Sequence, residues 1–314
     1  MRITATFLDE ISSDIPHQNW VQEDWDRDFQ SMKNMGIDTV IMIRCGLERF
    51  ITYPSEILVN ELGCYKPPVD LVDMFLTLAE KYGMRFFFGT YAACRNGHWK
   101  GLDLAKNWDF ERRLLDEIYS RYGHRKAFQG WYLSKEIGDN SHPEVLDEFI
   151  RYSTYCKKLS GDLPTLISPG MIGRKCYAAN DPNIRDLDFS KHEEDWDYIM
   201  KRLSGYVNII AFQDGHVSFY ELADALKLNK KLADRHGIEL WSNVESFDRD
   251  MPFRFPPIKW EKMLLKLNAA KEARITNGIT FEFSHFMSPN SFWPQAGNLY
   301  KRYMDYLSQE TEDV

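Results

Sequence analysis

Residues 235–247 read RHGIELWSNVESF. The basic pair closes an amphipathic stretch of helical period. Gly237 then ends it, because glycine enters the left-handed conformation after a helix without a Cβ penalty. The run after Gly237 is apolar and β-rich and stops at a carboxylate, Glu245. Six more glycines stand in the same place, after an amphipathic stretch and before a β-rich run: Gly36, Gly83, Gly123, Gly161, Gly205 and Gly278. The other runs are DTVIMIR, MRFFFGTY, FQGWYLS, PTLISP, VNIIAFQ and ITFEFS. With ITATFL near the N-terminus they make eight strands, each followed by a helix. Such alternation means parallel strands joined by crossover helices. Eight units in about 250 residues plus insertions is the pattern of an α/β (β/α)8, or TIM, barrel. Residues 1–314 read as a single domain, with no linker, repeat or low-complexity segment.

The loops carry a second message. Helix-to-strand links such as MGID, YGM, SGDLP and HGI are short. Strand-to-helix links are long, from Arg44 to Pro67, Tyr91 to Lys106, Gly170 to Ser190 and Glu245 to Pro257. In a barrel all of these lie at the C-terminal face, where active sites are built. The asymmetry points to a site.

Composition excludes several classes. The formal net charge of −8 argues against a nucleic-acid partner. No apolar run reaches membrane-spanning length, so no membrane partner is expected. MRITATFLDE reads directly as the first strand, without a signal-peptide core. If Met1 is the native start, the expected location is cytoplasmic. Cys45, Cys64, Cys94, Cys156 and Cys176 are scattered without a CxxC, which reads as reduced thiols. Cys45 or Cys94, just past strands two and three, could line a pocket. No Rossmann or P-loop glycine pattern occurs, and no cofactor is expected.

Strand ends carry the chemistry. A strand has a period of two, so alternate residues face the barrel axis. On strand four, Trp131 and Leu133 read as helix-facing, leaving Gly130, Tyr132, Ser134 and Glu136 axial. On strand seven, Ile238, Leu240 and Val244 read outward and Trp241, Asn243 and Glu245 axial. Strand eight reads Ile279, Phe281 and Phe283 outward, and Thr280, Glu282 and Ser284 inward. Strand six puts Phe212 in phase with Asp214, and strand one ends in Asp9 and Glu10. Arg44, Tyr91, Glu136, Asp214, Glu245 and Glu282 are therefore expected around one pocket, with His285 just beyond. Hydrolysis of a glycosidic bond needs one protonated and one ionised carboxyl. Glu136 and Glu245 are the candidate pair. Trp99 and Trp293, on the loops after strands three and eight, suit the C–H face of a sugar. The expected partner is a carbohydrate.

The placement of Glu136 and Glu245 resembles the retaining glycoside hydrolases with (β/α)8 barrels. In those enzymes the acid/base glutamate ends strand four and the nucleophile ends strand seven. They carry Asn-Glu at the strand-four end, where this chain has Lys135-Glu136. The segments GWYLSKEIGD (130–139), ISPG (167–170), FQDG (212–215) and WSNVESF (241–247) are more closely similar to a family of uncharacterised barrel proteins described as candidate glycoside hydrolases. That resemblance implies a site around Glu136, Asp214 and Glu245.

Two rivals share the pattern. A metal-dependent sugar isomerase or epimerase would use Glu136, Asp214, His216, Glu245, Glu282 and His285 as oxygen and nitrogen ligands. The chain has neither HExxH nor an HxH on strand one, and no metal is assigned. The other rival is a carbohydrate-binding barrel without chemistry, since fold does not fix function.

Overall fold

The computed structural model describes the chain except residues 13–14, 16, 93–97, 100–101, 104–107, 174–185, 252–254 and 313–314, and the side chains of residues 98–99, 102–103 and 310–312. Eight strands close a barrel: β1 (Arg2–Leu8), β2 (Thr39–Met42), β3 (Arg85–Gly89), β4 (Phe128–Tyr132), β5 (Thr165–Ile167), β6 (Ile209–Gln213), β7 (Glu239–Glu245) and β8 (Asn277–Phe281). Every neighbouring pair is parallel, and β8 closes on β1. Among the described residues, eight longer helices wrap it: α1 (Gln22–Met35), α2 (Leu71–Tyr82), α3 (Trp108–Tyr122), α4 (Glu144–Ser160), α5 (Phe189–Leu203), α6 (Phe219–His236), α7 (Trp260–Glu272) and α8 (Pro294–Glu312). The alternation expected from the sequence is present throughout. Among the described residues no helix is long and apolar enough to cross a membrane.

Helix ends follow the sequence at most positions. Gly36, Gly83, Gly161 and Gly237 cap α1, α2, α4 and α6 in the left-handed conformation. Gly205 takes a positive φ two residues past α5. Gly123 follows α3 without a positive φ. Gly278 is a correction: it lies inside β8, and α7 ends six residues earlier with Arg274 in the left-handed region at φ 58°.

Two apolar layers position the site. Between sheet and helices lies the larger one, with Trp25, Phe29, Met32, Trp131 and Trp196 buried in it. Fully burying a large apolar side chain stabilises the fold by roughly 1.5–3 kcal/mol. Inside the barrel lies a smaller cluster of Ala5, Phe7, Ile41, Ile43, Phe87, Tyr132, Leu166, Ile209, Ala211, Trp241 and Ile279, with Phe281 against it. This settles the phases. Tyr132 and Trp241 are axial and Trp131, Leu133, Leu240 and Val244 outward, as expected. Strand eight is a correction: Ile279 and Phe281 face the axis. Apolarity alone assigns them to the helix side, but the lower half of this barrel is itself apolar.

Candidate active site

A cavity of about 1480 Å3 opens at the C-terminal face, and its lining includes Arg44, Tyr91, Tyr132, Glu136, Gln213, His216, Asn243, Glu245 and Arg249. Glu136 stands four residues past the end of β4. Its side chain is exposed and lines the cavity. Desolvation pushes its carboxyl above the usual range. The Arg44 charge and a hydrogen bond from Gln213 oppose the rise, and the charge of Glu245 adds to it.

Glu245, the last residue of β7, is only 2% exposed. Arg249 grips it in a fork: Nε donates to Oε2 and Nη2 to Oε1, each at 2.7 Å. Burial alone would raise this carboxyl. The charge and hydrogen bonds of Arg249, with Lys266 and His216, outweigh it and hold Glu245 at about 2. Glu136 and Glu245, both on this cavity, are thus driven in opposite directions.

The main chain around Glu245 is held from behind. Lys266 of α7, 3% exposed, donates to Asp214 Oδ1 at 2.7 Å and to the Glu245 carbonyl at 2.9 Å. Asp214 Oδ1 also accepts from the Glu245 N–H at 3.0 Å. Asp214 is therefore a correction: it shares the outward phase of Phe212 and meets Lys266 behind the strands rather than lining the cavity.

Gly215 lies against the Glu245 carboxylate. A Cβ built there would stand 1.6 Å from Glu245 Oε2 and 2.8 Å from Arg249 Nε. Gly215→Ala is expected to push Glu245 out of the fork and to destabilise the protein by about 1–3 kcal/mol, the usual range for overpacking. An unchanged melting curve together with unchanged activity would show that Glu245 does not occupy this position.

Other polar groups on the cavity have, among the described residues, no hydrogen-bond partner for one buried atom each. These are Arg44 Nε, the Tyr132 hydroxyl, His216 Nδ1 and Asn243 Oδ1. Buried polar atoms are normally paired. Their gathering beside Glu136 and Glu245 suits a ligand with many hydroxyls. Desolvation lowers His216 to about 4, so its ring is neutral at physiological pH. Asn243 Nδ2 donates to Ser168 Oγ at 3.0 Å, which leaves its oxygen turned elsewhere.

Several expected residues lie apart. Trp241 fills the barrel interior below the cavity, its indole donating to Glu239 Oε1 at 2.6 Å. Glu282 and His285, both fully buried, pair with each other. Glu282 also accepts from the N–H groups of Ser284 and His285, capping a short helix at 283–286. Trp293, just before α8, packs beside Phe292 with ring centroids 5.1 Å apart and is not among the lining residues. The side chain of Trp99 lies outside the described residues, as do Cys94 and Cys176. Cys45 is buried in the outer layer rather than on the cavity. Tyr91 lines the cavity while its hydroxyl donates to the Glu48 carbonyl at 2.6 Å. The six residues of the metal reading fall into separate groups. Among the described residues no three His, Cys, Asp or Glu side chains are clustered to hold a metal ion.

Sequence reading missed Arg249, Gln213 and Ser168. Arg249 follows Glu245 by four residues, and an arginine at that reach from a rim carboxylate is a usable signal for a charged pair.

Residues 3–293 match the family described as a domain of unknown function, DUF4434. The chain belongs to this family. None of the curated proteins matches it. Among solved structures, this DUF4434 chain is similar to a "putative alpha-L-fucosidase" from Bacteroides thetaiotaomicron VPI-5482, at 49% identity, with 98% of this chain and 93% of that one covered and a TM-score of 0.91. An endo-1,4-beta-D-mannanase from Thermotoga petrophila RKU-1 is similar at 12% identity, covering 96% of this chain and 99% of that one, with a TM-score of 0.60. A GH18 chitinase from Pseudoalteromonas aurantia is similar at 8% identity, covering 98% and 99%, with a TM-score of 0.55. The last two share the fold alone. The barrel of this DUF4434 chain is of the kind found in glycoside hydrolases.

Proposed function

We propose that this protein hydrolyses a glycosidic bond in the cavity, with Glu136 delivering the proton and Glu245 ionised as nucleophile or base. One observation carries the reading: two carboxyls on one cavity have settings that pull their proton affinities apart. Glycoside hydrolysis requires that division of labour. Glu136 combines a raised proton affinity with access to the cavity, as a donor to a leaving oxygen must. Glu245 is kept charged by Arg249 at any working pH. Phe7, Tyr132 and Phe281 offer apolar surface for a sugar face beside them. Arg44 and the unpartnered atoms of Tyr132, His216 and Asn243 are available to hydroxyls.

The similarity to a protein named as an alpha-L-fucosidase makes 4-nitrophenyl α-L-fucoside the first substrate to test. A panel of other 4-nitrophenyl glycosides comes next. Activity on one of them is expected, with kcat/KM constant through the acid range and falling on the alkaline side as Glu136 loses its proton. The acid limb belongs to Glu245 at about 2, below the usual assay range. Hydrolysis of no glycoside in the panel, or a rate that rises with pH through neutrality, would overturn the assignment.

A further inference from the structure

The cavity extends well past the floor that holds Glu136 and Glu245. Its volume of about 1480 Å3 exceeds the roughly 300–1,000 Å3 that encloses a drug-sized ligand. One flank lies between α3 and α4, where Glu111 comes from the first helix and Glu148, Arg151 and Tyr152 from the second.

Glu111 is the unexplained residue there. It is only 7% exposed and lines the cavity. The Tyr152 hydroxyl hydrogen-bonds the carboxylate, yet among the described residues Oε2 has no hydrogen-bond partner. Leaving a buried acceptor unmatched costs about 1–3 kcal/mol, more when the group is charged. Packing gives no reason to keep it, because a leucine would fill the same place on this helix face without that penalty.

The surroundings define what would satisfy it. Glu148, also nearly buried, is matched by Lys135 Nζ at 2.5 Å. Lys135 is the sequence neighbour of Glu136, and its ion pair with Glu148 turns it toward this flank. It therefore joins the flank to the floor. The Arg151 guanidinium lies 5.0 Å from the centre of the Trp108 ring. Along this side of the lining Glu111, Asp139, Glu144, Asp147 and Glu148 outnumber Lys135 and Arg151, so the flank disfavours an acidic ligand and suits a neutral one. Val145 and Phe149 supply apolar surface.

We propose that this flank is a second sugar-binding subsite, in which a neutral glycosyl unit joined to the one cleaved gives a hydroxyl hydrogen bond to Glu111 Oε2. The proposal rests on the reading of the floor as a glycoside site. Burial raises the Glu111 carboxyl to about 7, against the Tyr152 bond, so both its charged and neutral forms occur near neutrality. A sugar hydroxyl both donates and accepts, and matches either form.

The test is equilibrium binding by titration calorimetry. The probes are neutral monosaccharides as 4-nitrophenyl thioglycosides and the matching thio-linked disaccharides, whose C–S bonds resist hydrolysis. The oxygen-linked counterparts are assayed for hydrolysis in parallel. The wild-type protein should bind a disaccharide about tenfold or more tighter than its monosaccharide, the range of a hydrogen bond to a charged group. Glu111→Leu should erase that preference with no loss of melting temperature. Tyr152→Phe, which removes the hydroxyl orienting Glu111, should weaken it. A disaccharide preference that is absent in the wild type, or survives Glu111→Leu, overturns the subsite even if aryl glycosides are hydrolysed. A preference lost in Glu111→Leu, in a protein that hydrolyses nothing, upholds the subsite and overturns the hydrolase reading. Binding of no sugar in the panel overturns the subsite.

Discussion

Arg249→Met is expected to cut kcat/KM on the best glycoside by about 100-fold or more, a loss of the size seen when one preorganised electrostatic contact is removed. The reason is charge. Glu245 is 2% exposed, and the largest influence keeping it ionised is Arg249, which holds both its oxygens. Without the fork, desolvation is opposed mainly by the Lys266 charge, since His216 is neutral above about 4, and the carboxyl is expected to take up a proton. Stability should follow with a definite pH dependence. In the wild type the Glu245 carboxyl is lowered from 4.5 to about 2, so its contribution is full above about 4.5 and lost as pH falls through about 2. A shift of that size corresponds to about 3 kcal/mol. In the variant the folded state prefers the protonated form, so stability declines as pH rises above the ordinary carboxyl range. The melting-temperature gap between the two proteins should therefore be small near pH 2 and widen toward pH 6. A gap that does not change with pH would show that Arg249 is not what keeps Glu245 charged. Arg249→Lys should fall between them, since it keeps the charge and loses the fork.

The barrel was legible because its signals are local. A helix stop such as Gly237, a β-rich run and the next amphipathic stretch each declare themselves within a dozen residues. The direction of Glu136 and Glu245 followed from their neighbours, since Trp131, Leu133, Leu240 and Val244 do pack against the helices. The same rule failed on β8, where Ile279 and Phe281 fill the barrel interior instead. Apolarity separates inside from outside only where the inside is polar, and here only the upper end is. Asp214 was drawn into the site because it ends a strand beside the others. Its partner Lys266 lies 52 residues away on α7, so no sequence window joins them. Glu282 and His285 were misplaced for a local reason: a capping carboxylate and a rim carboxylate look alike until the short helix at 283–286 is seen. Glu111 offered no signal at all, because its burial depends on how α3 meets α4.

Glu136→Gln and Glu245→Gln are expected to separate by leaving group, and that separation is the largest effect open to measurement. A proton donor matters in proportion to how poorly the leaving oxygen carries negative charge. Replacing Glu136 by Gln should slow a natural glycoside, with an alcohol leaving group, by about 100- to 10,000-fold, the usual range for general acid catalysis. A 2,4-dinitrophenyl glycoside leaves without help, and its bond-cleavage step should slow by less than about tenfold. The alkaline fall in kcat/KM should also vanish in this variant, because the titrating group is gone. Glu245→Gln should lose both substrates alike, since an amide can neither attack the sugar nor serve as base toward water. It also leaves Arg249 facing a neutral group, so its fold must be checked by melting before its rate is read. Equal losses on both substrates in Glu136→Gln would remove Glu136 from the donor role. Wild-type rates in both variants would remove the pair from the chemistry, and the opposed proton affinities of Glu136 and Glu245 would then belong to ligand binding alone.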